Sequence, residues 1–115
     1  MTRQERKYTA AAALLFASAA LHLPIAGIDF GAFGIQMIVA ALLWTVLGLG
    51  LLRYWRWCAY IALFGMLYGV SAALFGAMDA IGLVSILFWA IVAIDALAAA
   101  ILFGLLWAPH PKRPT

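Results

Sequence analysis

Four long apolar runs, separated by three short joints, decide what this chain can become. They cover about residues 8–27, 33–52, 57–77 and 81–107. Each holds roughly 20 residues or more, and at about 1.5 Å per residue a helix of that length crosses a hydrocarbon core of about 30 Å. The fourth is longer than a crossing needs, so it is expected to tilt or to project its last turn among the headgroups. Four strands cannot close a membrane barrel, and an open sheet would leave backbone groups unpaired in lipid, so the spans are expected to be helices. The joints at 28–32, 53–56 and 78–80 are short, which makes consecutive helices antiparallel neighbours. The expected fold is an all-α membrane protein, a single four-helix transmembrane domain over residues 1–115 in an up-down-up-down antiparallel bundle.

A soluble alternative fails on composition. The chain is 69% hydrophobic and 10% charged, against about 45–50% and about 25% in ordinary soluble domains. Its few polar side chains would not cover so much apolar surface, so lipid is the expected solvent. The formal charge of +3 does not point to nucleic acid, because the bases sit in three short clusters flanking the apolar runs. The expected partners are the bilayer and other membrane helices, in a hetero-complex or a homo-oligomer.

The stretch Arg53-Tyr54-Trp55-Arg56-Trp57 divides the chain into two hairpins. With Arg3, Arg6 and Lys7 before the first span and Lys112 and Arg113 after the fourth, four crossings put every basic residue on one side. The other side carries Asp29 and Asp79. Positive charge stays inside, so both termini are expected in the cytoplasm, in a plasma membrane of the bacterial inner-membrane type. Arg53, Trp55, Arg56, Trp57 and Trp107 are the expected interfacial anchors, arginines toward lipid phosphates and indoles at headgroup level. Residues 1–7 and the triplet Ala17-Ser18-Ala19 resemble a secretory signal and its cleavage site, but the apolar run continues past Ala19, so a retained first helix is expected. Asp29 and Asp79, like Trp57 and Trp107, recur at an offset of 50. Either the halves are parallel repeats, or two hairpins share common boundary residues.

Asp95 is the sharpest chemical signal, a carboxyl group near the middle of the fourth span with no Lys or Arg inside any span. An acid at that depth costs about 2.5–3.5 kcal/mol on insertion scales. It must be protonated, bonded to hydroxyls or facing a wet cavity. Ser18, Thr45, Tyr68 and Ser71 fall at similar depth and are its candidate partners. The group is either a proton- or cation-coupled site or a lock between helices. His22, in the outer half of span one, could line a shallow polar vestibule with Gln36, Ser71 and Ser85, or each could bond nearby backbone. Across the membrane from His110, it cannot share a metal with it. Trp44 and Trp89 lie deeper than the boundary aromatics, where lipid, a neighbouring helix or a bound pigment would surround them.

Gly65, Gly69, Ala72 (or Ala73) and Gly76 make one smooth face on span three. Ala93, Ala96, Ala100 and Gly104 make another on span four, and Ala10, Ala13, Ala17 and Ala20 a third on span one. Such faces let helices approach closely, and their spacing alone does not distinguish a neighbour in the same chain from a partner. The lone cysteine, Cys58, forms no intrachain disulfide and is expected to behave as a small apolar residue, with acylation or redox chemistry as the other reading. The chain has no phosphate-binding loop, zinc-protease motif, nucleophile elbow or paired catalytic carboxylates. No enzymatic activity and no cofactor are expected.

In length and number of spans the chain resembles the small multidrug resistance transporters, whose proton and substrate site is a glutamate within the first helix. Here the only glutamate is Glu5, ahead of the first span. Two readings follow: an accessory, assembly or scaffold subunit packed against a larger membrane complex, or a small oligomeric transporter or channel working through Asp95.

Overall fold

The computed structural model describes residues 2–107, and His110, Lys112 and Arg113 lie outside the described residues. Every regular element in it is helical: α1 (Arg3–Ile28), a π-helical turn (Phe30–Gly34), α2 (Ile35–Leu52), α3 (Arg56–Asp79) and α4 (Gly82–Trp107). Four helical stretches are long and apolar enough to cross a membrane, the second being the π turn with α2, Phe30–Leu52.

Polar residues extend α1 well before the apolar run begins. Thr2 Oγ1 accepts from the Glu5 backbone N–H at 3.1 Å, while Glu5 Oε1 accepts from the Thr2 N–H at 3.2 Å. This reciprocal cap satisfies two donors that a helix start otherwise leaves orphaned. At the other end Pro24 lies inside the helix, which continues to Ile28. Proline lacks the N–H that would bond the carbonyl four residues back, so α1 bridges a missing rung there.

The joint expected at 28–32 is mostly helical. The Asp29 N–H closes α1 on the Ile25 carbonyl at 3.0 Å, and its carboxylate accepts from the Ala32 N–H at 3.4 Å. The Phe30 ring then lies against Gly34, where a β-carbon would collide with it. That contact lets the wide turn run directly into α2.

The Arg53 joint is a Schellman turn. The Tyr54 N–H donates to the Leu51 carbonyl at 2.9 Å and the Trp55 N–H to the Gly50 carbonyl at 3.2 Å. The left-handed position, usually a glycine, is held by Tyr54 with φ of 60°. Its ring meets Tyr8 edge-on, with centroids 5.6 Å apart. At the third joint Gly82 takes φ of 68°, a conformation glycine adopts without steric cost. Ser85 then donates its hydroxyl to the Ala77 carbonyl at 2.7 Å, satisfying an acceptor at the end of α3.

Side by side, α1 packs against α2 and α4, α4 against α3, and α2 meets α3 over a smaller interface. The larger apolar cluster runs from Tyr8 through Leu47, Met66 and Leu102 to Leu105, and is floored by alanines such as Ala11, Ala12, Ala59, Ala62 and Ala98 with no exposed surface. A second cluster gathers Ile25, Ala73, Ala77, Val84, Phe88 and Ile91. Small side chains bring backbones close, and dispersion acts across that contact. Ile35, Val46, Phe64, Phe75 and Ile81 are among the many large apolar side chains left exposed, an outer surface compatible with a membrane protein.

Candidate functional site

Ser18, His22 and Asp95 are the buried polar and charged side chains among the described residues, and they form one cluster. Asp95, midway along α4, has no exposed surface. Ser18, midway along α1, is equally enclosed and donates its hydroxyl to Asp95 Oδ1 at 2.6 Å. His22 lies one turn further along α1, and its Nδ1 contacts the Ser18 carbonyl. A carbonyl only accepts, so Nδ1 carries the proton in this pairing. Ser18 is thus the hub, linked through its hydroxyl to α4 and through its carbonyl to His22.

The other face of Asp95 meets α3, where Trp44 of α2 also arrives. A β-carbon on Gly69 would stand 2.6 Å from Asp95 Oδ2 and 3.5 Å from Trp44 Cζ2. One built on Gly65 would stand 2.7 Å from Trp44 Cζ3. The indole of Trp44 therefore lies across two glycines of α3, and Asp95 reaches the second of them from α4. Asp95 Oδ2 and Trp44 Nε1 are the buried side-chain atoms left without a hydrogen-bond partner among the described residues.

Of the partners expected for Asp95, the fold brings in Ser18 and leaves the rest aside. Thr45 donates to the Ala41 carbonyl at 2.7 Å and Ser71 to the Leu67 carbonyl at 3.1 Å, each bonding its own helix. Tyr68 points away and is 75% exposed. No vestibule gathers His22, Gln36, Ser71 and Ser85: His22 is buried, Gln36 and Ser71 are exposed, and Ser85 caps α3. Within an apolar span a hydroxyl's depth is readable from sequence, but the side of the helix it occupies is not.

The glycine face of α3 is filled from within the chain, by Trp44 at Gly65, by Asp95 and Trp44 at Gly69, and by Phe88 at Gly76. Its fourth member is Ala73, which is buried, while Ala72 is exposed. On α4 the face looks outward, with Ala93, Ala96 and Ala100 exposed and Gly104 half-buried, whereas on α1 Ala13 and Ala20 are exposed and Ala10 and Ala17 half-buried. Between α1 and α2 runs an apolar groove of about 350 Å³ bordered by Phe16, Ala20, Leu23, Ile38, Leu42 and Thr45.

The anchor residues divide into two kinds. Arg53 is exposed with its guanidinium over the Trp55 ring (5.7 Å to the centroid), Trp55 stacks on Trp57, and Trp107 stacks on Phe103. Arg56 instead turns inward. Its Nη2 donates to the Leu106 carbonyl at 3.1 Å, placing a cation on the carbonyl end of α4, where it complements the helix dipole. Sequence reasoning placed Arg56 at lipid phosphates and missed this cap. Cys58 is buried with its sulfur against Gly50.

Serine, histidine and an acid in contact invite comparison with a hydrolytic triad, but the wiring differs. A triad needs the imidazole on the serine hydroxyl and the acid on the imidazole. Here the acid holds the hydroxyl and the imidazole holds a backbone carbonyl, so the imidazole does not act on the Ser18 hydroxyl. The arrangement suits a polar clamp between α1 and α4. Comparison with protein-family profiles, curated proteins and solved structures finds no match to this chain.

Proposed function

We propose that this chain is a multi-pass membrane protein of the bacterial inner membrane, with four antiparallel helices and both termini cytoplasmic, acting as a non-catalytic accessory or assembly subunit of a larger membrane complex. Supporting the up-down order are the contacts of Arg56, at the start of α3, with Leu106 near the end of α4, and of Gly76, near the end of α3, with Phe88 near the start of α4. Supporting the orientation are Arg3, Arg6, Lys7, Arg53 and Arg56, which gather at one end of the spans.

One observation carries the functional reading. The glycine face of α3 is filled by the protein's own side chains, whereas Ala93, Ala96 and Ala100 of α4 are small and exposed. In lipid, an uncovered small-residue stripe is where another helix can approach closely. The test is gentle solubilisation followed by identification of what co-purifies. Ala96→Leu with Ala100→Leu is expected to abolish a stoichiometric association while leaving helix content and thermal unfolding unchanged. Wild-type association in that double variant, or a wild type that purifies alone, would sink the reading.

A second reading has its own support. Among the described residues Asp95 Oδ2 has no hydrogen-bond partner, as a proton- or cation-coupled carboxyl group in a small oligomeric transporter would require at some stage of its cycle. Asp95→Asn would then abolish transport or channel activity. Wild-type growth, assembly and transport in that variant excludes it.

A further inference from the structure

We propose that Trp44, Gly69 and Asp95 enclose a binding site for one water molecule at the middle of the bundle, bridging the indole Nε1–H of α2 to the carboxyl Oδ2 of α4. The two buried side-chain atoms without a partner among the described residues sit on different helices, and both side chains converge on Gly69. Asp95 has no exposed surface and Trp44 only 4%. Buried polar atoms in folded proteins almost always have a partner, and where protein supplies none an ordered water does so.

The chemistry of the pair selects the ligand. An indole nitrogen only donates, whereas a carboxyl oxygen accepts when ionised and can donate when protonated. The N–H repels a cation, and the carboxylate, when ionised, repels an anion. A neutral molecule that both accepts and donates satisfies the two together, whichever protonation state Asp95 holds. Gly69 lies close against both groups, since a β-carbon there would stand 2.6 Å from Oδ2, and the small neutral ligand that commonly bridges buried polar groups is water. Ser18 closes the opposite side by occupying Oδ1, so the water has one carboxyl oxygen to itself.

The remaining tryptophans make the site observable. Trp55, Trp57, Trp89 and Trp107 are 44–77% exposed, so a variant with phenylalanine at all four keeps a single indole and is expected to fold. Nuclear magnetic resonance of this variant in detergent micelles, labelled at the indole nitrogen, reads the Trp44 Nε1–H directly. The expected result is an indole proton that exchanges slowly with bulk solvent yet shows a cross-peak to a long-lived bound water. Adding Gly69→Ala, which fills the site, is expected to abolish that cross-peak while the protein stays helical. Should Gly69→Ala fail to fold, Asp95→Leu takes its place and must likewise abolish the cross-peak, because the acceptor is gone. A folded protein with a protected indole and no water cross-peak overturns the proposal. So does a cross-peak that persists unchanged in either folded variant.

Discussion

Replacing Ser18 with alanine tests whether the contact between α1 and α4 holds the bundle together. The substitution removes the hydroxyl 2.6 Å from Asp95 Oδ1 and leaves a carboxyl group with no exposed surface deprived of its protein partner. Hydrogen bonds to charged groups contribute about 1.5–3 kcal/mol in soluble proteins, but interhelical bonds in membranes average about 0.6 kcal/mol with a maximum near 1.7. The short distance and full enclosure place this one toward the upper end, at about 1–1.5 kcal/mol on that membrane scale. Asp95→Leu is the matching change, because leucine reproduces the branched shape without polar atoms. It also removes an acid whose insertion costs about 2.5–3.5 kcal/mol at mid-membrane, so it should be neutral or stabilising. In that background Ser18→Ala should cost almost nothing. Reversible unfolding of the four proteins in mixed micelles, followed by circular dichroism, gives the coupling energy. Additivity within about 0.3–0.5 kcal/mol is the behaviour of independent sites, and finding it here would refute the clamp.

Three further outcomes follow from the packing. Gly76→Ala brings a methyl group to 2.9 Å from the Phe88 ring and should destabilise by about 1–3 kcal/mol, as over-packing does, in the same unfolding assay; Gly27→Ala, with nothing within 4 Å, should not. Arg56→Ala removes the donor to the Leu106 carbonyl and should cost about 0.3–1 kcal/mol, the scale of a cation at a helix end, seen as faster hydrogen exchange confined to the last turn of α4. At Tyr54, glycine relieves about 1–2 kcal/mol of left-handed strain while losing an edge-on contact with Tyr8 worth about 0.5–1.5 kcal/mol. Tyr54→Gly should therefore unfold close to wild type and Tyr54→Val well below it, and the reverse order would refute the Schellman assignment.

Helix number and position could be read from the sequence because long apolar runs are a strong signal. The expected third span, 57–77, lies inside α3, Arg56–Asp79. The expected first span, 8–27, likewise lies inside α1, which begins five residues earlier on a cap that Thr2 and Glu5 announce by their spacing. The site was harder to read. In an ordinary soluble protein the polar face of a helix marks its outside, but here the exposed surface and the core are both apolar, and periodicity loses its contrast. That is why Thr45, Tyr68 and Ser71 stood level with Ser18 as partners for Asp95, and why Ala72 stood level with Ala73. Trp44 was equally ambiguous, and only packing places its ring over Gly65 and Gly69.

The Ser18–Asp95 bond joins residues 77 positions apart, on the first and last helices. Its consequence lies in time. A chain emerging from the ribosome presents Ser18 long before Asp95 exists, so the Ser18 hydroxyl has to wait for this acceptor until α4 is made. Trp44 and the glycines of α3 can meet before the clamp does, but the clamp itself closes only when synthesis has reached the middle of α4. The last helix therefore completes the bundle, and a product cut short before Asp95 would lack its central fastening, a difference that a membrane protease could read.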